Sequence, residues 1–128
     1  MSSSSDLVAK YKASNEAIFL SKDINAVTSS FSTYYSDALE ANVLGGKKNA
    51  SEFLESLVEM RKVFVDVELE YVKVIVSGRN VGSYEKLTAT KADGSIAHGS
   101  AIIFATFGAE STADADKIVA FHETLELA

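Results

Sequence analysis

The spacing of the hydrophobic residues changes once along this chain, near Val65, and this change constrains the fold more than any other feature. Before it, apolar residues recur at helical spacing in three segments. After it, they alternate with polar residues in four long segments, which is typical of β-strands joined by turns. The order predicts an α+β fold in which three N-terminal helices pack on a mainly antiparallel sheet.

Two helices are predicted before any strand. Residues 1–5 form a serine tract that we expect to be disordered, and the first helix follows it. Its apolar stripe contains one polar residue, Asn15, which either lies at the edge of the helix or faces an internal cavity. Asp23 is placed to cap the second helix, whose apolar face extends to Tyr34 or Tyr35.

A short strand and a third helix are predicted next. Residues 38–44 alternate in polarity and precede Gly45 and Gly46, which would end a strand. Asn49 is followed three residues later by Glu52, and this spacing resembles a capping box at the start of a helix.

The four long strands are predicted to form an antiparallel meander. The apolar residues of the first strand change face near Tyr71 and Val72, which a β-bulge would explain. Residues 101–107 are apolar on both faces, so neither face of the sheet should be fully wet. We therefore expect a strongly bent sheet whose concave face is filled by the helices and whose other face meets a second copy in a homodimer. The predicted strands cover about residues 65–76, 81–90, 96–107 and 117–127.

Composition excludes several classes of function. The 128 residues are 47% hydrophobic, so we expect one domain over 1–128. The net charge of −6 disfavours binding to nucleic acid or to an anionic membrane, so neither partner is expected. Cysteine is absent and the two histidines are His98 and His122, which argues against thiolate chemistry and a zinc site. We expect no cofactor. No signal peptide or membrane span is recognisable, so a cytoplasmic location is expected.

Several short motifs occur in an order found in one superfamily. They are Tyr34-Tyr35-Ser36-Asp37-Ala38, Gly46 before the third helix, Val76-Ser77-Gly78-Arg79-Asn80-Val81 at a hairpin, and Lys117-Ile118-Val119 in the last strand. Over residues 6–127 the chain resembles the nuclear transport factor 2-like superfamily, and more narrowly its SnoaL-like and ketosteroid-isomerase-like branch. The resemblance implies a cone-shaped α+β barrel with an apolar pocket inside.

The resemblance also implies positions for catalytic groups, and the ketosteroid-isomerase groups are not retained. Asn42 stands at the position of the family's general-base aspartate, Asn15 at its oxyanion-hole tyrosine, and Ile103 at its protonated aspartic acid. An amide cannot abstract a proton. Steroid isomerase activity is therefore not expected, and these three residues are predicted to contact a ligand.

The resemblance to SnoaL-like proteins points to Glu123 instead. Many relatives carry an acid directly after the aromatic pair that follows Lys-Ile-Val, and Phe121-His122-Glu123 matches that place. Strand alternation puts Glu123 on the pocket face with Val119, Phe121 and Leu125, and it turns His122 away. Glu123 is the first catalytic candidate, and Phe121 is predicted to contact the ligand.

Two more acids share a strand face with apolar residues. Glu85 lies at alternate positions with Val81 and Leu87, so these three share one strand face, and Glu40 shares a face with Ala38 in the same way. A carboxyl group buried among apolar side chains has a raised pKa, which suits a general acid or base near neutral pH. The alternative for all three acids is a solvated position at the cone mouth or on an exposed face. Glu85 is the second catalytic candidate, and Glu40 is a predicted ligand contact.

Tyr34 and the acidic loop, residues 108–116, complete the candidates. Tyr34 matches a usual pocket aromatic and could donate a hydrogen bond to a ligand carbonyl, the alternative being a plain core position. The loop lacks the oxygen spacing of a calcium site, so we interpret it as solvated, and whether it covers the pocket is left open.

Three classes of function follow from the resemblance. The first is an enzyme that acts on a small hydrophobic, cyclic or polyketide-like molecule by cofactor-independent acid/base chemistry, as an isomerase, cyclase, dehydratase or hydrolase. The second is a non-catalytic carrier or sensor of such a ligand. The third is a protein-interaction module that uses the sheet face. A carboxyl group on the inner wall would favour the enzyme.

Overall fold

Three α-helices and a six-stranded sheet confirm the α+β fold, and a short strand at Gly46–Asn49, which the sequence does not predict, adds to the five predicted strands. The computed structural model describes residues 3–43 and 46–127. The predicted end of the short strand at Leu44 and Gly45 lies outside the described residues. The elements are α1 (Ser4–Asn15), a π-helical turn (Glu16–Leu20), α2 (Ile24–Tyr34), β1 (Tyr35–Val43), β2 (Gly46–Asn49), α3 (Ala50–Val63), β3 (Phe64–Ser77), β4 (Asn80–Lys91), β5 (Ile96–Phe107) and β6 (Ile118–Leu127).

The helices begin at polar caps. Ser3 and Asp6 form a capping box at α1, so the described part of the serine tract is ordered, which differs from the prediction for residues 1–5. The predicted capping box at α3 is confirmed, with both Asn49–Glu52 hydrogen bonds at 2.9 Å. Within the described residues, no helix has the length and apolar character needed to cross a membrane.

The first helix changes from an α-helix to a π-helix before it ends. After Asn15 the backbone continues as a π-helical turn to Leu20, which the sequence pattern does not predict. Arg61 of α3 holds this turn. Its guanidinium donates to the carbonyl oxygens of Ile18 and Ser21, and more weakly to that of Phe64. Because these carbonyls lie at or beyond the end of the helix, they have no intrahelical partner, and Arg61 supplies one.

The strands form one mixed sheet in the order β2-β1-β6-β5-β4-β3. The pair β1–β6 is parallel and the other pairs are antiparallel. The bulge predicted near Tyr71 is confirmed, because Tyr71 pairs with Glu85 while Lys73 pairs with the adjacent Tyr84, leaving Val72 unpaired. Bulges increase local twist and bend the strand, so this one helps to curve the sheet around the helices.

The two faces of the sheet have different surroundings. The concave face and the helices enclose the core, where the rings of Phe31, Tyr35, Phe53 and Phe121 pack at centroid distances of 4.8–6.2 Å. The outer face carries large apolar side chains that are about half exposed in this single chain. They are Ile75, Tyr84, Ile102 and Phe104.

Candidate functional site

A cavity lies between the concave face of the sheet, the π-helical turn and α3. Small side chains on neighbouring strands, Ala89 and Ala101, leave this space unfilled. Its wall is apolar apart from two carboxyl groups, those of Glu85 and Glu123. The lining residues are Phe19, Met60, Phe64, Val67, Leu69, Glu85, Leu87, Ala89, Ala101, Ile103, Glu123 and Leu125.

The cavity is small and partly open to solvent. Its volume is about 70 Å³, which is about half of the 150 Å³ apolar cavity that holds benzene in an engineered protein. The enclosed space is therefore smaller than one that holds a six-membered ring, and a larger molecule must extend through the opening. Met60 has three rotatable side-chain bonds and can adapt to an occupant.

Glu85 is fixed by two hydroxyl groups. It lies on β4, its side chain is 1% exposed, and its Oε2 accepts hydrogen bonds from the Tyr11 hydroxyl and from Ser83 Oγ, the latter at 2.7 Å. Burial raises the pKa of Glu85, and the two hydroxyl donors oppose that rise. Burial and the charge of Glu85 raise the pKa of Tyr11, so this hydroxyl keeps its proton and donates a hydrogen bond to the carboxylate.

Glu123 has no such donors. It lies on β6 and pairs with Ile103 on β5, while Glu85 pairs with Ala101 two residues away on the same strand. No described residue donates a hydrogen bond to Glu123. Burial, with a contribution from the charge of Glu85, raises the pKa of Glu123 to about 7. Two neighbouring carboxyl groups therefore differ in environment, which separates their acid/base behaviour.

A polar cluster lies behind the carboxyl groups. Asn15 Nδ2 donates to the Tyr71 hydroxyl at 3.1 Å, and the Tyr71 ring packs edge-on to Tyr11. Tyr35 is 1% exposed, and its hydroxyl has no hydrogen-bond partner with suitable geometry among the described residues. Burial chiefly raises the pKa of Tyr35, and the charge of Glu123 adds to the rise.

The structure brings together three of the eight site residues predicted from the sequence. Glu85, Glu123 and Ile103 line the cavity. Asn15 and Phe121 are fully buried but pack outside the cavity wall, and Tyr34 is half-buried at the end of α2. The catalytic roles of the two acids stay predictions.

The prediction that Glu40 and Asn42 face the interior is wrong. The buried residues of β1 are Leu39, Ala41 and Val43, so Glu40 lies on the exposed face and Asn42 shares it. Alternation holds along this part of β1, but the inward face is the one that carries Leu39, Ala41 and Val43, which is the opposite of the face predicted from the sequence.

The acidic loop lies at the other end of the sheet from the cavity. It joins β5 to β6 beside the β3–β4 hairpin, and Arg79 donates to the carbonyls of Gly108 and Ala115. Ser36 donates to Asp114 at 2.7 Å. None of the loop residues lines the cavity. In the described part of the chain, no group of three or more His, Asp or Glu side chains is arranged to hold a metal ion.

Sequence reasoning missed three residues of the site. Tyr11 lies on the apolar stripe of the first helix, which by itself predicts a plain core position, but its hydroxyl reaches Glu85 across 74 positions of the chain. Ser83 shares the inward face with Glu85, and this alternation was the available signal for it. Phe19 lies in the π-helical turn and lines the cavity, and nothing in the hydrophobic spacing indicates such a turn.

Comparisons with solved structures identify the fold. A SnoaL-like polyketide cyclase from Agrobacterium tumefaciens is similar with a TM-score of 0.69 and 15% identity, over 98% of this chain and 93% of that one. An NTF2-like protein of unknown function from Exiguobacterium sp. 255-15 has a TM-score of 0.71 and 18% identity, over 94% and 98%. TerC, co-crystallised with polyporic acid, has a TM-score of 0.67 and 18% identity, over 94% and 91%.

No family model and no curated protein sequence matches the chain. At these identities the solved structures establish the fold alone. The helices on a bent mixed sheet, the cavity on its concave face and the agreement over nearly the whole of each chain lead to one conclusion. This chain has the nuclear transport factor 2-like fold, in the form that SnoaL-like proteins share.

Proposed function

We propose that the protein binds a small, largely apolar molecule in the cavity and that Glu123 exchanges a proton with it, without a cofactor. The observation that carries this proposal is the position of Glu123 on the wall of an apolar cavity, desolvated and without a hydrogen-bond donor. A carboxyl group with a pKa of about 7 is present in both protonation states at neutral pH, which is what a general acid or base requires.

Glu85 has a different role in this proposal. Because Tyr11 and Ser83 donate to it, Glu85 is the more stable carboxylate of the pair, and its charge keeps the pKa of Glu123 raised. A carrier of a neutral apolar molecule needs neither a desolvated carboxyl group nor a second one that tunes it. The carboxyl pair therefore favours an enzyme over such a carrier. The shared fold with a polyketide cyclase and with TerC, which holds polyporic acid, supports binding of a small molecule.

Proton abstraction can be tested without knowing the natural substrate. Cyclopentanone is small, largely apolar and carries exchangeable protons next to its carbonyl group. In deuterated buffer we expect the protein to accelerate deuterium incorporation, with a rate that rises with pH and is half-maximal near pH 7, because Glu123 acts as a base only when ionised. The Glu123→Gln variant should lose this acceleration by about 100-fold. Proton NMR of the ketone measures the rate.

The matched control is Glu126→Gln, because Glu126 lies on the same strand with its side chain exposed. This variant should keep the wild-type exchange rate. If cyclopentanone shifts the methyl signals of Ile103 and Leu125 but exchanges equally fast with wild type and Glu123→Gln, the protein binds without acting as a base. That result would replace the enzyme with a carrier.

The outer sheet face supports a homodimer as the assembly in which this site works. Gly82 has no side chain, and a Cβ there would lie 3.1 Å from Ile75 and 3.2 Å from Phe104, so the glycine lets these side chains converge into one apolar surface. Ile102 and Tyr84 extend it. A continuous apolar surface of this kind, with no described segment covering it, fits a second copy of the same face.

Phe104→Lys tests the dimer. Two such charges would meet across a two-fold interface, so the variant should sediment as a monomer at concentrations where the wild type sediments as a dimer. Val63→Lys is the control, since Val63 is 51% exposed at the end of α3, away from the sheet face. A wild type that sediments as a monomer at all concentrations would contradict the dimer.

A further inference from the structure

We infer that the molecule accommodated by the cavity carries a protonated amine on a compact apolar body. The inference rests on the proposed function, because it names the class of molecule that enters the same cavity. Two features of the wall carry it. One is its charge, and the other is the set of carboxyl oxygens that no protein group satisfies.

The charge of the wall is entirely acidic. Apart from Glu85 and Glu123, every lining residue is apolar, so no described wall residue supplies a positive charge. The buried cation Arg61 directs its N–H groups to backbone carbonyl oxygens instead. An anionic ligand would add a like charge in a poorly solvated space, whereas a cation would offset the charge already there.

The hydrogen-bonding capacity of the wall points to a ligand with several donors. Glu85 is 1% exposed, and both of its donors, Tyr11 and Ser83, bind the same oxygen, Oε2. No described residue donates to Oε1 of Glu85 or to either oxygen of Glu123. Three acceptor oxygens are therefore left for a ligand. An ammonium group offers three N–H donors, an alcohol offers one, and a ketone or ether offers none.

The other titratable groups facing the two acids do not supply charge. Tyr11 from α1, Tyr35 from β1 and Tyr71 from β3 are the tyrosines around the pair, and burial raises the pKa of each of them. They therefore remain neutral, and Glu85 and Glu123 alone change charge. Because an ammonium group binds the ionised carboxyl more strongly, amine affinity must rise as Glu123 loses its proton.

Three molecules that share the same apolar group but differ in their polar group distinguish an amine from a neutral or an anionic ligand. They are 3-methylbutan-1-amine, 3-methylbutan-1-ol and 3-methylbutanoate, titrated into the protein at pH 6 and pH 8.5 while the methyl NMR signals of Ile103 and Leu125 are followed. At pH 8.5 we expect the amine to bind at least ten-fold more tightly than the alcohol, and the carboxylate not to bind. Amine affinity should increase from pH 6 to pH 8.5, although the amine itself is protonated at both.

Variants test whether the preference for the amine arises from the carboxyl groups of the cavity. Glu123→Gln and Glu85→Gln should each weaken amine binding about ten-fold and leave alcohol binding within two-fold, whereas Glu126→Gln should change neither. An alcohol that binds as tightly as the amine at pH 8.5 would overturn the amine inference and leave the proposed apolar-ligand function standing. If none of the three molecules shifts the cavity methyl signals, both the inference and the proposed function fail.

Discussion

Replacing Glu123 with glutamine should stabilise the folded protein by about 3 kcal/mol at pH 8 and change its stability little at pH 4. The expected size follows from a pKa of about 7 in the folded protein against the ordinary value of 4.5 for a glutamate side chain. Above pH 7 the wild type holds a desolvated carboxylate, which the neutral amide avoids. At pH 4 both side chains are neutral and of similar shape.

The direction of the change in stability with pH depends on whether the folded or the unfolded state binds the Glu123 proton more tightly. A raised pKa means that the folded protein keeps its Glu123 proton when the unfolded chain has lost it. The wild type therefore loses stability as pH rises from about 4.5 to about 7, and above that the loss is complete. Urea unfolding of wild type and Glu123→Gln across this range measures the difference.

Glu126→Gln is again the control, because an exposed carboxyl group on the same strand has no desolvation to relieve. Its stability should follow that of the wild type within about 0.5 kcal/mol at every pH. A difference between wild type and Glu123→Gln that does not change with pH would mean that Glu123 is solvated in the folded protein. That outcome would also remove the basis of the proposed catalytic role.

The second large effect is expected at Arg61. Arg61→Met keeps much of the side-chain length but removes every donor, leaving the buried carbonyl of Ile18 and the part-buried carbonyl of Ser21 without a partner. We expect a loss of about 3 kcal/mol in the free energy of unfolding, since each unsatisfied buried acceptor costs on the order of 1–3 kcal/mol. Urea unfolding at constant pH measures it.

The same substitution should affect the cavity. The π-helical turn that Arg61 holds carries Phe19, which lines the cavity, so Arg61→Met should also broaden the NMR signals of the cavity residues. Lys62→Met is the neighbouring control. Lys62 is exposed and pairs with Glu59 on the surface, and losing such a pair costs about 0.5 kcal/mol or less. A loss below about 1 kcal/mol for Arg61→Met would show that water replaces its donors.

Much of the architecture could be predicted because its causes are local. The Asn49 capping box, the order of helices and strands, and the bulge beside Tyr71 all depend on residues close together in the chain. The inward positions of Glu85 and Glu123 also follow from a local rule, since alternation holds along these parts of β4 and β6. The same rule holds in β1, but the face that turns inward there carries Leu39 and Ala41 rather than Glu40, and alternation alone does not show which face is buried.

The rest depends on contacts between distant segments. Sequence order alone could not show that Tyr11 donates to Glu85, that Tyr35 rather than Tyr34 enters the core, or that Arg61 holds a π-helical turn. These contacts require the helices to be docked on the curved sheet. The sequence by itself determined that Glu85 and Glu123 each share a strand face with apolar residues, because side-chain alternation is a property of the strand. Only the tertiary structure decided how those two groups differ, because burial and hydroxyl donors from other elements set the environment of each.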